Sequence, residues 1–396
     1  MAGPLEGIRV LDFTIAQQGP NATLVLRELG AEVIKVEQRG VGDISRLSAR
    51  DRDRDVSFAF LTLNRGKKDI TLDLKAEKGR RIALALGEIS DVVVENYRPG
   101  VMAKLGLDYE DFRAVNPRVI YASASAFGRQ GRWASKPGLD ILAQAATGLA
   151  AVTGEEGDPP IPAGAALADH IGALNLALGI LAALFYRERT GKGQRLDSSL
   201  VGGLLYAQAW ELGYYFGTRR YHGKSGRGHV HVLTPYRIVP TADGHMAVVA
   251  LRHDDWPRFC QVIGRPDLVE DPRFATLRDR VRNRKELWRV LDEHFSQRPT
   301  VEWMAVLEEA DFLCAPAYDY TQVMEEPHFY EAGYLVEYPH PRLGPLTMVN
   351  FPIKFSESPA AIQGPEPEMG EHTEEVLTSL GYSPQEIEAL REEGVV

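Results

Sequence analysis

The chain is predicted to be an α/β protein built on an open, mostly parallel, Rossmann-like sheet, with a smaller α+β domain beside it. Three observations predict this. Short apolar runs that read as strands alternate with helical stretches from Ile8 to Ser123. One long helix, Ile171 to Tyr186, is apolar apart from Asn175. After Gly193 the alternation gives way to a mixed pattern of hairpin and helices. Regular strand–helix alternation implies a parallel sheet with right-handed crossovers.

Ile8 to Phe13 reads as a buried strand, and Gln17-Gln18-Gly19-Pro20 as a turn. Asn21 to Leu29 fits a helix with Gly30 just past its end, and Glu32 to Glu37 is a second strand. This is one βαβ unit of about 30 residues. Further units follow: a helix from Glu77 to Glu88, a strand at Asp91–Glu95, a helix near Tyr109–Val115 and a strand at Val119–Ser123. Open α/β sheets bind ligands at the carboxyl ends of their strands. Gln17, Asn96-Tyr97-Arg98 and Ser125 to Gly128 all follow a strand, so they are the first residues expected to line a site.

The apolar helix carries Gly172, Ala173, Ala177, Gly179, Ala182 and Ala183, and a helix apolar on every side is expected to be buried. Its apolar run falls short of the ~20 residues that cross a bilayer. Gly191 and Gly193 end it. Asp169 stands near its start, where unpaired N–H groups and the macrodipole favour negative charge. One reading makes Asp169 an N-cap. The other makes it a reactive carboxylate held by a rigid element. The residues alone leave both open.

Gln194 to Asp197 is a short strand and Ser199 to Phe216 a long helix. Gly223 to His229 is glycine-rich and reads either as a connector or as a flap closing over substrate. Tyr236–Pro240 and His245–Ala250 form a hairpin around Asp243-Gly244. Helices follow at Trp256–Ile263, Arg284–Phe295 and Val301–Ala310, then short strands at Leu335–Tyr338 and Leu346–Val349. Two helices, Glu371–Leu377 and Ser383–Glu393, close the chain. The expected boundaries are a large α/β domain over 1–200, a linker helix and flap over 201–229, a small domain over 230–336, and a return to the large domain over 337–396.

Composition narrows the function. The chain has 396 residues, 44% hydrophobic and 25% charged, which suits a globular protein with a large core. The net charge of −10 argues against nucleic acid as a partner. Two cysteines make neither a disulfide framework nor a zinc site, and the scattered histidines suggest no metal. The N-terminus shows no signal-peptide pattern, so the expected location is cytoplasmic, or an organelle matrix if a presequence was removed. Glu37 ends the second strand where a dinucleotide fold keeps its ribose-binding acid, but the first turn lacks G-x-G-x-x-G. No nucleophile elbow or phosphate-binding P-loop is present. Arg46, Arg50, Arg52 and Arg54 alternate with Asp51, Asp53 and Asp55, which reads as a self-neutralising loop or as a fork for a substrate carboxylate.

Five segments resemble, in order, the class III CoA-transferases, the family that includes formyl-CoA:oxalate CoA-transferase, carnitine CoA-transferase and α-methylacyl-CoA racemase. They are residues 4–12 (PLEGIRVLD), 29–37 (LGAEVIKVE), 94–100 (VENYRPG), 190–194 (TGKGQ) and 370–373 (GEHT). The resemblance implies that Asp169 is the nucleophile and that Gln17 lies beside the reacting thioester. It implies that CoA is held by residues matching Leu72, Lys75, Asn96, Tyr97, Arg98 and Lys104. Arg39 stands one place beyond the family's usual arginine. Gly226, Gly228 and His229 match the flap, which is bulkier here than the glycine run of the oxalate enzymes.

The resemblance further implies a large domain completed by the C-terminus and two chains threaded through each other as linked rings. The expected activity is transfer of CoA from an acyl-CoA to a free carboxylic acid through an aspartyl anhydride and an aspartyl-CoA thioester. CoA is then a substrate, and no cofactor is permanently bound. Alternatives are an acyl-CoA racemase of the same superfamily and a non-catalytic CoA-binding protein. The racemases place a His where this chain has Leu139, which cannot accept a proton. The arginines of 46–54, with Arg227, suggest a dicarboxylic acid such as succinate as one substrate.

Overall fold

The computed structural model describes residues 3–232, 235–250 and 254–396. The chain divides into two compact units. The first holds residues 1–147, 163–209 and 329–396, and the second residues 148–162 and 210–328.

The first unit contains, in chain order, β1 (Arg9–Asp12), α1 (Gln18–Glu28), β2 (Glu32–Gln38), the short hairpin β3 (Arg50–Asp51) and β4 (Val56–Ser57), and α2 (Phe58–Asn64). Next come β5 (Lys68–Leu72), α3 (Glu77–Glu88), β6 (Val92–Glu95), α4 (Val101–Leu105), α5 (Tyr109–Val115), β7 (Ile120–Ser125) and α6 (Asp140–Ala146). After α7 (Leu149–Val152), which belongs to the second unit, it resumes with α8 (Leu167–Thr190), β8 (Gln194–Ser199) and α9 (Leu200–Ala207). Six strands form one sheet in the order β5-β2-β1-β6-β7-β8, parallel at every pairing. This is the doubly wound order, in which the strand sequence reverses direction between β1 and β6. Leu11 of β1 lies opposite Ile34 of β2 and Val93 of β6.

The period-2 alternation of each strand divides its side chains between two cores. Leu11, Val93 and Tyr121 face α3, α5 and the C-terminal residues Val376, Leu377, Ile387 and Leu390. Val10, Val92 and Ile120 face Ala22 and Leu26 of α1 and Ala173, Leu176 and Ile180 of α8. The helices Thr373–Ser379 and Pro384–Glu392 therefore complete the first unit. Strand β5 was absent from the sequence reading. Its Ile70 and Leu72 alternate with Asp69 and Thr71, and those two polar side chains are buried as well.

Helix α8 corrects the expectation of burial on every side. Ala168, Gly172, Ala173, Leu176, Ala177, Ile180, Ala183 and Leu184 are buried. Leu174, Leu178 and Phe185, on the other face, are 56%, 65% and 66% exposed in the single chain. Among the described residues α8 is the one helix long and apolar enough to cross a membrane, but its buried face is part of the core beneath the sheet. The expected Ser199–Phe216 helix is two helices, α9 and α10 (Ala209–Thr218), broken at Gln208. Gln208 donates its side-chain amide to the carbonyls of Thr147 and Leu204.

The second unit holds α10 and the antiparallel sheet β11-β10-β9, made by β9 (Tyr236–Pro240), β10 (His245–Val249) and β11 (Leu313–Pro316). Helices Asp255–Val262, Arg284–Phe295 and Thr300–Glu309 surround a core of Trp256, Phe259, Phe274, Phe295 and Trp303. Three expected boundaries change. Residues 148–162 belong to the second unit, where Ser225 and Gly226 donate their N–H groups to the carbonyls of Val152 and Gly154. Residues 201–209 belong to the first unit. So do residues 329–336, because β12 (Leu335–His340) pairs with β13 (Gly344–Val349).

Candidate active site

The reversal of strand order between β1 and β6 sets two loops side by side, and both carry residues predicted for the site. Asn96, just past β6, clamps Ile15, just past β1. Its Oδ1 accepts the Ile15 N–H at 2.8 Å, and its amide donates to the Ile15 carbonyl at 2.7 Å. Ala16 is forced to φ +65°, a left-handed conformation costly for a residue with a Cβ. Buried ionic groups hold it there. Asp43 accepts the Ala16 N–H at 2.9 Å and the Lys35 ammonium at 2.8 Å, and Lys35 also donates to the Thr14 carbonyl at 2.7 Å. Both the Lys35 and the Asp43 side chain are fully buried. Burial alone would lower the Lys35 pKa, but Asp43, Asp12 and Glu37 outweigh it and hold it above the usual value. Lys67, bonded to Asp12 at 3.1 Å, is brought down to about 8 by burial. The strained turn thus presents Gln17 from a rigid, charged foundation.

Asp169 is the third residue of α8 and does not cap it. Asp140, the first residue of α6, does so from outside the helix: one carboxylate oxygen accepts the N–H groups of Ala168 at 2.7 Å and Asp169 at 3.1 Å. Its other oxygen accepts from Gln144, whose own oxygen accepts the Ala163 N–H. The capping reading of Asp169 is thereby overturned. Its half-buried carboxylate accepts no hydrogen bond from the described residues. Burial, then the nearby Asp140 charge, raise its pKa to about 6. The helix dipole was expected to keep Asp169 ionised at ordinary carboxylate pH. Desolvation wins, so the free carboxylate dominates only above about pH 6. Gln17 reaches the same helix end through His170, with 3.2 Å between Gln17 Nε2 and His170 Nε2.

Beside Asp140 a cleft of about 350 Å³ is lined by Asn96, Tyr97, Arg98, Lys136 and the Gly138–Leu139 turn. A Cβ at Gly138 would stand 2.3 Å from that of Ala126, so glycine is what lets this turn close over the end of β7. Lys136 was missed by sequence reasoning. Its signal was a lone lysine in the long β7–α6 loop, at the carboxyl edge of the sheet. The other expected CoA residues disperse. Lys75 and Lys104 are exposed near β5 and on α4. Arg39 donates to the Val396 carbonyl. Leu72 corrects its expectation: the side chain is fully buried in the core, so only its backbone can meet a ligand.

The arginine run is largely consumed within the protein. Arg46 pairs with Glu37 and stacks on Phe60, Arg50 pairs with Asp55, and Arg54 with Asp51. Gly226, Gly228 and His229 lie in the second unit, where Gly228 bridges to Arg237 and His229 bonds Glu211 at 2.9 Å. Arg227 pairs there with Asp292 and Glu155. No cluster of His, Cys, Asp or Glu among the described residues could hold a metal ion.

A doubly wound sheet, a cleft at the carboxyl ends of β6 and β7 and an unbonded carboxylate with a raised pKa suit an α/β enzyme. The chain belongs to CoA-transferase family III, whose profile matches residues 5–373. It is 34% identical to mouse (Mus musculus) succinyl-CoA:glutarate CoA-transferase over 99% of this chain and 90% of the relative. It is 33% identical to formyl-CoA:oxalate CoA-transferase of Streptomyces coelicolor over the full length of both. A CAIB/BAIF family protein from Brucella suis superposes with a TM-score of 0.86 at 30% identity, covering 96% of this chain and 100% of that one. The chain is accordingly a class III CoA-transferase, with a CoA thioester and a carboxylic acid as its substrates.

Proposed function

We propose that the protein moves CoA between carboxylic acids by covalent catalysis at Asp169. The observation that carries this reading is that Asp140 takes over the capping of α8 and leaves the Asp169 carboxylate unbonded. The Asp169 carboxylate attacks the acyl-CoA carbonyl, forming a mixed anhydride and releasing CoA thiolate. The thiolate attacks the aspartyl carbonyl of that anhydride, giving aspartyl-CoA thioester and the donor's free acid. The acceptor carboxylate then attacks this thioester, displacing thiolate and forming a second anhydride. Thiolate attack on the new acyl carbonyl gives the product acyl-CoA and restores the Asp169 carboxylate. Each step breaks one acyl bond as it forms another, so the transfer is divided into exchanges and the acyl group is never given up to water. The Gln17 amide, held by the strained turn, donates to the oxyanions. We place CoA along the carboxyl ends of the strands, with Asn96, Tyr97 and the Leu72 backbone beside it and Arg39, Lys75, Arg98, Lys104 and Lys136 as cations for its phosphates.

The acceptor class is a dicarboxylate. The named relatives take glutarate and oxalate, both dicarboxylic acids. The motive first seen in Arg46–Arg54 and Arg227 does not support this, since Arg46, Arg50, Arg54 and Arg227 are ion-paired within the protein. Mass-spectrometric screening of acyl-CoA and acid pairs should show glutarate or succinate preferred over butyrate by about tenfold or more in kcat/KM, the scale of one charge-assisted hydrogen bond. Equal turnover of butyrate would remove the second carboxylate from recognition.

We propose that the working species is an interlocked homodimer in the cytoplasm. Leu174, Leu178 and Phe185 on α8, with Leu205 and Tyr206 on α9, expose large apolar side chains on one chain. Such an area calls for a partner, and the resemblance supplies a second copy. Light scattering at low micromolar concentration should give about twice 43.9 kDa. A folded, active species at the single-chain mass would end this reading.

A further inference from the structure

His170 stands immediately after Asp169 and is exposed in the single chain. Both its ring nitrogens are engaged, and both partners come from α1 and the turn before it. Gln17 Nε2 lies 3.2 Å from His170 Nε2, and Asn21 Nδ2 lies 2.7 Å from His170 Nδ1. Two amide nitrogens cannot both donate to a neutral imidazole, because one ring nitrogen carries the proton. One of the two amides must therefore present its oxygen, and amide orientation follows the network.

We propose that His170 is a positioning residue that sets which end of the Gln17 amide faces the reacting carbonyl. This rests on the reading of Asp169 and Gln17 given above. In the neutral ring, Asn21 Oδ1 accepts from Nδ1–H, and Nε2 accepts one of the two Gln17 N–H groups. The second Gln17 N–H is then free, at a fixed angle, for the oxyanion. The other tautomer places the hydrogen on Nε2, which demands the Gln17 oxygen instead. The amide turns over and its NH₂ group leaves the oxyanion position. From α1 and the turn before it the ring is met by two amides, so the tautomer that Asn21 selects decides which end of the Gln17 amide meets Nε2.

A double-mutant cycle with a rescuing variant tests this. His170→Ala should lower kcat by about tenfold or more while KM for acyl-CoA stays within twofold, since a loosened donor is a misplaced one. In a Gln17→Ala background the same change should cost less than twofold. His170→Gln, which offers Oε1 to the Gln17 N–H, should keep kcat within about threefold. Asn21→Ala frees the ring without removing it and should reproduce part of the loss, which keeps the test open if His170→Ala fails to fold. An equal cost of His170→Ala with and without Gln17, or wild-type kcat in His170→Ala, overturns the proposal. Asp169→Asn separates the two readings: activity in that variant ends the covalent mechanism, whereas the cycle still reports whether His170 and Gln17 are coupled.

Discussion

Asp169→Asn is expected to lower turnover by more than about 1000-fold, the scale seen when a covalent nucleophile is removed. Amide nitrogen has no lone pair available to form the anhydride. The fold should survive, because Asp140 rather than Asp169 caps α8. The variant should gain stability at neutral pH. In the wild type the folded-state pKa of Asp169 is raised to about 6, by burial first and then by Asp140. Between the ordinary carboxylate pKa of about 4 and about 6, the folded state binds more protons than the unfolded state, so stability falls as pH rises through that window. Asparagine does not titrate. The thermal midpoint of Asp169→Asn should therefore match wild type near pH 4 and exceed it above pH 6. Activity should run the other way, failing as pH drops below about 6 and the carboxylate is protonated. Quenching the wild type with acyl-CoA and hydroxylamine should yield a hydroxamate on the Asp169 peptide. Turnover within tenfold of wild type in Asp169→Asn, or a label on Asp140, would refute the assignment.

Lys35→Met should cost about 3–5 kcal/mol, the range for breaking a buried ion pair by removing one partner. Asp43 and Asp12 would then be buried beside a missing cation, and the Thr14 carbonyl would lose its donor. The control is Lys68→Met. Lys68 is a third exposed and pairs with Glu32 and Glu375 near the surface, so its loss should cost under about 1 kcal/mol. Hydrogen exchange should speed up in β1 and β2 of Lys35→Met and stay unchanged in β9 and β10, which belong to the other unit. Turnover should fall as well, because the turn carrying Gln17 loses its anchor. A destabilisation as small as that of Lys68→Met would mean that the buried charges do not hold the turn.

Local pattern and tertiary contact contributed differently. Strand–helix alternation was legible because periods of two and 3.6 residues reflect which face each element buries, and that is written in neighbouring residues. Gln17 and Asn96-Tyr97-Arg98 could be named for the same reason: a residue just past a parallel strand lies at the edge where such sheets bind ligands. Strand β5 escaped because its alternate positions, Asp69 and Thr71, are polar yet buried: burial and the adjacent Glu37 push the Asp69 carboxyl well above its usual range. Helix α8 read as buried throughout because its composition cannot say which apolar face meets the sheet and which is left open. What Asp169 does could not be decided between cap and nucleophile from its own surroundings. That decision belongs to Asp140, 29 positions earlier. The foundation of the turn at Ala16 joins Lys35, Asp43 and Asn96 across up to 81 positions. A hydrogen bond between residues so far apart leaves no mark on local periodicity, since only the order of strands in the sheet brings its partners together.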